Sequence, residues 1–145
     1  MRDLLVDSSV LIEYFKGNER AVKLLESFEN ADVVLYINDV VFSEVVYILL
    51  GHYLGSSPRT MKGNPNKLPS EIEEVFKVLR SFGFIPVEQS TVFKAMTIIQ
   101  KYAMLPNDAL ILATCMEHSF SLATLDDDFK LPAGKEGVPL IGVRA

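Results

Sequence analysis

A chain of 145 residues with 49% hydrophobic side chains is sized for one domain with a core of its own, which excludes a disordered chain. No run approaches the ~18 consecutive apolar residues of a membrane helix, and a lone cysteine, Cys115, excludes an internal disulfide or a zinc cluster. The net charge of −5 weighs against nucleic acid as a partner, because such binding leans on phosphate neutralisation.

Met1-Arg2-Asp3 runs straight into a strand-like segment, which predicts no signal peptide and, with the single cysteine, a reducing cytoplasmic home. Leu4 to Val6 reads as a short buried strand and Ser8 to Gly17 as a helix closed by its glycine. Glu19 to Asn30 has an amphipathic helical pattern, and Val33 to Ile37 reads as a strand. Asn38 and Asp39 are good N-caps for a third helix reaching about His52. That helix is apolar almost all round, which predicts burial on more than one side, including against a second subunit.

From Gly51 or Gly55 to Pro69 no periodicity survives, and Gly, Ser, Pro and Asn dominate, so an irregular loop is expected within a single domain spanning 1–145. Ser70-Glu71-Ile72-Glu73 reads as a capping box opening a helix that ends near Gly83. A strand over Phe84 to Val87, a helix from Glu88 to about Tyr102, a helix from Pro106-Asn107 to about His118, a strand over Ser121 to Thr124 and an edge strand over Pro139 to Gly142 complete the pattern. Short strands alternating with helices predict an α/β fold with a mostly parallel sheet of about five strands.

Four acids are locally out of place. Asp7 ends an apolar run, Glu44 interrupts a longer one, Asp108 opens the segment Asp108-Ala-Leu-Ile-Leu-Ala, and Asp126 follows Leu122-Ala-Thr-Leu. Desolvating a carboxylate costs several kcal/mol, so such residues need partners. In an open parallel sheet ligands gather outside the carboxyl ends of the strands. Asp7 and Asp126 follow strands, while Glu44 and Asp108 lie early in helices that begin near that edge, so all four can reach one rim. The bland alternatives are that Asp7 and Asp108 serve as a helix cap and a first-turn acid, and that Asp126-Asp127-Asp128 is an acidic turn. Oxygen ligands without a His or Cys cluster suit Mg²⁺ or Mn²⁺. Two such ions would add four positive charges, moving the balance from −5 to about −1.

Asp7-Ser-Ser-Val-Leu-Ile, a lone acid in the third helix, Pro-Asn-Asp-Ala-Leu-Ile-Leu-Ala and Leu-Ala-Thr-Leu-Asp-Asp-Asp-Phe together resemble the PIN-domain family. Within it they are most like the VapC-type ribonuclease toxins of prokaryotic toxin–antitoxin pairs. The resemblance spans the chain except for about Gly51 to Pro69. It implies a three-layer PIN-like fold and an endoribonuclease acting on single-stranded or loop RNA, working as a homodimer held silent by a VapB-type antitoxin. It implies Asp7, Glu44, Asp108 and Asp126 as ligands of Mg²⁺ or Mn²⁺, with Asp128 as a secondary ligand. Ser9 and Thr124 would support Asp7 and Asp126 through their hydroxyls, though Ser9 as a cap and Thr124 as a strand residue stay open. Two ions ~3.5–4 Å apart activate a water and stabilise the leaving oxygen in such sites. A catalytically silent RNA-binding or scaffolding PIN module remains the alternative. A receiver domain or a haloacid-dehalogenase phosphatase fits less well, since Asp7-Ser8-Ser9 lacks a second acid.

Other residues read as ordinary. Cys115, Met96, Ile98 and Ile99 are expected in the core, and His52 and His118 as structural or solvated; the resemblance implies Phe129 as a packing residue rather than a reader of bases. The acid-free stretch 51–69 carries Arg59, Lys62 and Lys67, which suits an RNA-contacting arm, an interface or a plain solvated loop.

Overall fold

The computed structural model describes residues 2–144. Five short strands, β1 (Leu4–Val6), β2 (Leu35–Asn38), β3 (Gly83–Ile85), β4 (Ser121–Ala123) and β5 (Leu140–Ile141), form one sheet ordered β3-β2-β1-β4-β5. Every pairing is parallel. Seven helices pack around it: α1 (Ser8–Phe15), α2 (Glu19–Glu26), α3 (Asp39–Leu54), α4 (Ile72–Arg80), α5 (Gln89–Tyr102), α6 (Pro106–His118) and α7 (Lys130–Glu136). All three residues of β1, and all three of β4, are buried. Both sheet faces are therefore covered, which explains continuous apolar runs such as Leu4-Leu5-Val6 rather than alternation. Val10, Leu11, Val41, Val45, Leu49, Ile111 and Leu112 join Leu5, Val6 and Leu122 in the main core.

The strand order places a reversal at the centre. From β1 the chain moves outward through β2 to β3, then returns to the other side of β1 for β4 and β5. A parallel sheet leaves a crevice at such a switch point, outside the carboxyl ends of the two diverging strands. Asp7 follows β1 there and Thr124 to Asp126 follow β4.

Two junctions fix the helices that border the crevice. Asn38 is fully buried; its side-chain oxygen accepts from the backbone N–H of Val41 at 3.0 Å and its amide donates to Thr114 Oγ1 at 3.0 Å. One side chain thus caps α3 and ties it to α6. At the start of α5 the Glu88 backbone N–H donates to Thr91 Oγ1 at 3.1 Å, and Ser90 Oγ donates to Glu117 of α6 at 2.7 Å.

Several expectations are corrected. The third helix runs through Leu54, so Gly51 to Leu54 are helical, and Gly55 ends it in the left-handed conformation (φ +69°) that glycine adopts at no steric cost. The stretch beyond is not irregular: it holds two 3₁₀ turns, Pro58–Met61 and Pro65–Lys67, begun by Ser57 and Asn64 side chains accepting backbone N–H groups. The capping box at Ser70 does not form; α4 begins one residue later, at Ile72, and Ser70 Oγ points to Glu71 at 3.3 Å. Helix α7 is unanticipated, because Pro132 and Gly134 hide its period. Met96 is exposed, and so are Phe42, Tyr47 and Ile48 of α3, which within the chain is buried along one side only.

Gly142, just after β5, has φ +107°, and a Cβ there would lie 2.6 Å from the Thr124 carbonyl oxygen and 2.8 Å from Leu24. The carbonyl belongs to backbone that cannot yield cheaply. Gly142→Ala is expected to destabilise the fold by about 1–3 kcal/mol in urea unfolding; an unchanged midpoint would show that β5 does not lock the Thr124 turn.

Candidate active site at the sheet switch point

Asp7 is buried at the carboxyl end of β1, in the N-cap position of α1 with extended backbone, yet its side chain makes no cap hydrogen bond. The simple cap reading therefore fails. Asp7 Oδ2 accepts from Ser9 Oγ at 2.7 Å and from Thr124 Oγ1 at 2.8 Å. Each hydroxyl has one proton, and both protons point at Asp7, so the 3.3 Å approach between Ser9 and Thr124 is not a second bond. The hydroxyls in turn accept backbone N–H groups, Leu125 on Ser9 at 3.1 Å and Asp126 on Thr124 at 3.0 Å. Oδ1 has only a 3.5 Å contact with Ser8 Oγ. One carboxylate oxygen is thus anchored and the other is nearly free.

Glu44, in the second turn of α3, is half-buried. It is not embedded in a buried apolar stripe, since Tyr47 and Ile48 beside it are exposed. Nor does a cation hold it: Ser8 Oγ donates to Oε1 at 3.0 Å, and the Asn107 amide donates to Oε2 at 3.3 Å. Asp108 enters from the first turn of α6. Asp126 does cap the 3₁₀ turn Asp127–Phe129, its Oδ1 accepting from the Asp128 N–H at 2.9 Å, which leaves Oδ2 spare. Asp128 is exposed but lines a cavity with Asp108. Asp127 is the ordinary surface acid of the three, 3.5 Å from Lys130. Ser8 and Asn107 were not singled out from the sequence; nothing local tells that either faces an acid 36 or 63 positions away.

The charges act on one another. Burial raises the Asp108 pKa from 3.8 to about 6, with further upward pressure from Asp7, Asp126, Glu44 and Asp128. Burial also raises Asp7 above its ordinary value; Glu44 and Asp126 add to this, against the opposing pull of the Ser9 and Thr124 hydroxyls. The donor set is oxygen only, the kind a hard divalent cation takes. Among the described residues no three His, Cys, Asp or Glu side chains stand close enough to form a closed ligand cluster. Ser8 Oγ stands between two of the acids, 3.5 Å from Asp7 Oδ1 and 3.0 Å from Glu44 Oε1.

The match to known proteins agrees with this geometry. Residues 4–135 match the model of the PIN domain. The chain is 33% identical over 129 residues to Ribonuclease VapC2 of Methanocaldococcus jannaschii, covering 88% of this chain and 87% of that protein. It is 34% identical over 139 residues to Ribonuclease VapC6 of the same organism, covering 88% and 91%. The chain belongs to the PIN-domain family, in its VapC group. The PIN domain also superposes on a toxin–antitoxin complex from Klebsiella pneumoniae with a TM-score of 0.70 at 24% identity, over 99% of this chain and 97% of that one. FitAcB from Neisseria gonorrhoeae gives 0.67 at 20%, over 95% and 96%. At those identities the superpositions speak for the fold, a parallel α/β sheet of PIN type.

The raised pKa of Asp108 fixes the sign of a pH effect. The folded PIN domain keeps a proton that the unfolded chain releases between pH 3.8 and about 6, so stability falls as pH rises through that window. Without divalent ions, Asp108→Asn is expected to melt above the wild type at pH 7.5, with the gap closing towards pH 4. A gap independent of pH in calorimetry would mean that neither burial nor the neighbouring acids raise Asp108.

Proposed function

We propose that this PIN domain is a divalent-metal-dependent endoribonuclease, the toxin of a toxin–antitoxin pair. The observation that supports the reading is that Asp7, Glu44, Asp108 and Asp126, from four distant segments, lie near enough at the sheet's switch point to act on the ionisation of Asp7 and Asp108. The relatives named ribonucleases support it.

Asp7, Glu44, Asp108 and Asp126 would hold Mg²⁺ or Mn²⁺, with Asp128 as an outer contact. When bound, the metal supplies charge neutralisation for the phosphate and a water of lowered pKa. The chain's own residues do the rest. Ser9 and Thr124 fix Asp7 through Oδ2 and leave Oδ1 available. Ser8 and Asn107 steer Glu44 without neutralising it. The half-buried carboxyl of Asp108, raised by burial and by its acidic neighbours when no cation is present, would release its proton as a cation binds.

The same reading includes a homodimer and an antitoxin in the cytoplasm. Exposed Tyr47 and Ile48 on α3 supply apolar surface for a second copy. An apolar groove of about 630 Å³ at the β3 edge, walled by Phe42, Phe76, Phe82 and Phe84, suits an antitoxin segment. DNA-bound VapBC from Salmonella typhimurium shares the fold, with a TM-score of 0.66 at 13% identity over 97% of this chain and 98% of that one.

Asp7→Asn and Glu44→Gln are expected to lower Mg²⁺- or Mn²⁺-dependent cleavage of labelled single-stranded RNA by roughly a hundredfold or more, while each variant melts no lower than wild type in EDTA. Cleavage persisting in Asp7→Asn would remove the assignment, and a calorimetric titration of wild type with Mn²⁺ showing no binding would favour the silent module. Tyr47→Glu with Ile48→Glu is expected to sediment as a monomer; a dimer surviving both changes would move the interface off α3.

A further inference from the structure

Leu105 is at odds with its position. It occupies the N-cap of α6 and gives no side-chain cap, where Ser, Thr, Asp or Asn would satisfy a free backbone N–H and an apolar residue forgoes about 1 kcal/mol. It is also 72% exposed, more than any other large hydrophobic side chain among the described residues, so burial does not compensate. A residue that breaks a local rule twice beside a functional rim is a candidate for contact with a ligand.

Two cavities share it as a lining residue. One, of about 300 Å³, is walled by Tyr102, Met104, Leu131 and Pro132 and bordered by Asp108 and Asp128. The other, of about 430 Å³, is formed by Glu44, Pro106, Asn107 and Asp108. Leu105 and Asp108 line both. Both cavities are at the small end of ligand sites, the size of a single ring system rather than an oligomer. A phosphate held at the acids would therefore lie beside two cavities that share Leu105 as a wall.

We propose that Leu105 is a wedge that parts the two nucleobases flanking the scissile phosphate, seating one in each cavity, so that the substrate is RNA whose bases are free to unstack. This rests on the nuclease reading above. The walls of the cavity of about 300 Å³ fit such an occupant. Leu131, itself 63% exposed, with Tyr102 and Pro132, offers flat apolar surface to a base face. The Asp128 carboxylate at the cavity edge accepts an exocyclic amino group. Apolar side chains inserted between bases part them in the same way elsewhere, and bases held in an A-form helix are not free to splay. Leu105 contacts substrate in this reading and is a specificity-determining residue rather than a proton-transfer group.

The test is a double-mutant cycle between the side chain and the bases. The cleavage point is mapped in a single-stranded oligonucleotide, and matched oligonucleotides then carry an abasic site at either flanking nucleotide. Leu105→Ala is expected to lower kcat/KM roughly ten-fold on the intact strand, with Leu105→Met restoring most of it, and to cost nothing further on the abasic strands. Because the side chain is exposed, an unchanged melting temperature accompanies the loss. Penalties that add independently, or intact-strand cleavage by Leu105→Ala at the wild-type rate, would overturn the wedge while leaving the nuclease in place. A wild type that cuts no RNA with either metal would instead remove the nuclease reading, and the wedge with it.

Discussion

Carboxylates gathered at one edge of a sheet oppose folding, and the rest of the molecule is arranged around that opposition. Two like charges 4 Å apart repel by about 4 kcal/mol at an effective dielectric of 20. Here Asp7 is buried and Asp108 half so, each with acids near enough to raise its pKa. No lysine or arginine bonds to Asp7 or Glu44 among the described residues; hydroxyls and an amide do. The choice has a physical logic. A hydroxyl can accept from backbone and donate to a carboxylate at once, so Ser9 and Thr124 carry the rigidity of the backbone at Leu125 and Asp126 to Asp7 without adding charge. A lysine in that place would neutralise the acids and compete with any cation.

The sheet order makes the gathering possible. With β1 at the centre and β4 beside it, the residues following both strands open into the same crevice. The helices then bring the remaining acids from the flanks. Asn38 is the joint that matters, because it caps α3 and bonds Thr114 of α6, and those two helices carry Glu44 and Asp108. Beyond Glu44, α3 runs ten more residues, about 15 Å at helical rise, before the basic turns with Arg59 and Lys67. Those cations therefore stand well away from the acids, and a larger cavity of about 830 Å³ near them, lined by Pro65, Lys77 and Arg80, is separate from the site.

How much of this was legible in the sequence follows from which signals are local. The strands at Leu4, Leu35, Gly83, Ser121 and Leu140 were each found within about two residues, because buried parallel strands leave unbroken apolar runs between turn residues. The acids were legible for the complementary reason, as charges interrupting those runs. Cys115, expected in the core, and Phe129, a packing residue by the family resemblance, are both buried. What failed was whatever depends on a distant partner or a short element. The seven residues of α7 include Pro132 and Gly134 and carry no usable period. Ser70 and Glu73 have the spelling of a capping box, but the turn is taken up by Pro69 and Ser70 carbonyls accepting from Ile72 and Glu73. Met96 fits the helical spacing of a core residue, yet it faces outward. Ser8 and Asn107 carry no signal, since their meaning lies entirely in where Glu44 ends up.

The net charge of −5 looked like an argument against RNA, and the structure changes its terms. The two cavities beside Asp108 are lined by Asp108, Asp128, Glu44, apolar side chains and one amide, with no lysine or arginine. The linings of these two cavities supply no cation to neutralise a phosphate, so the proposed cations would serve to tolerate the polyanion there as well as to assist its cleavage. Recognition by the chain itself must then fall on what the acids do not repel, the uncharged faces and amino edges of the bases. An acidic rim flanked by exposed leucines is consistent with that division of labour, in which the metal meets the phosphate and the side chains meet the bases.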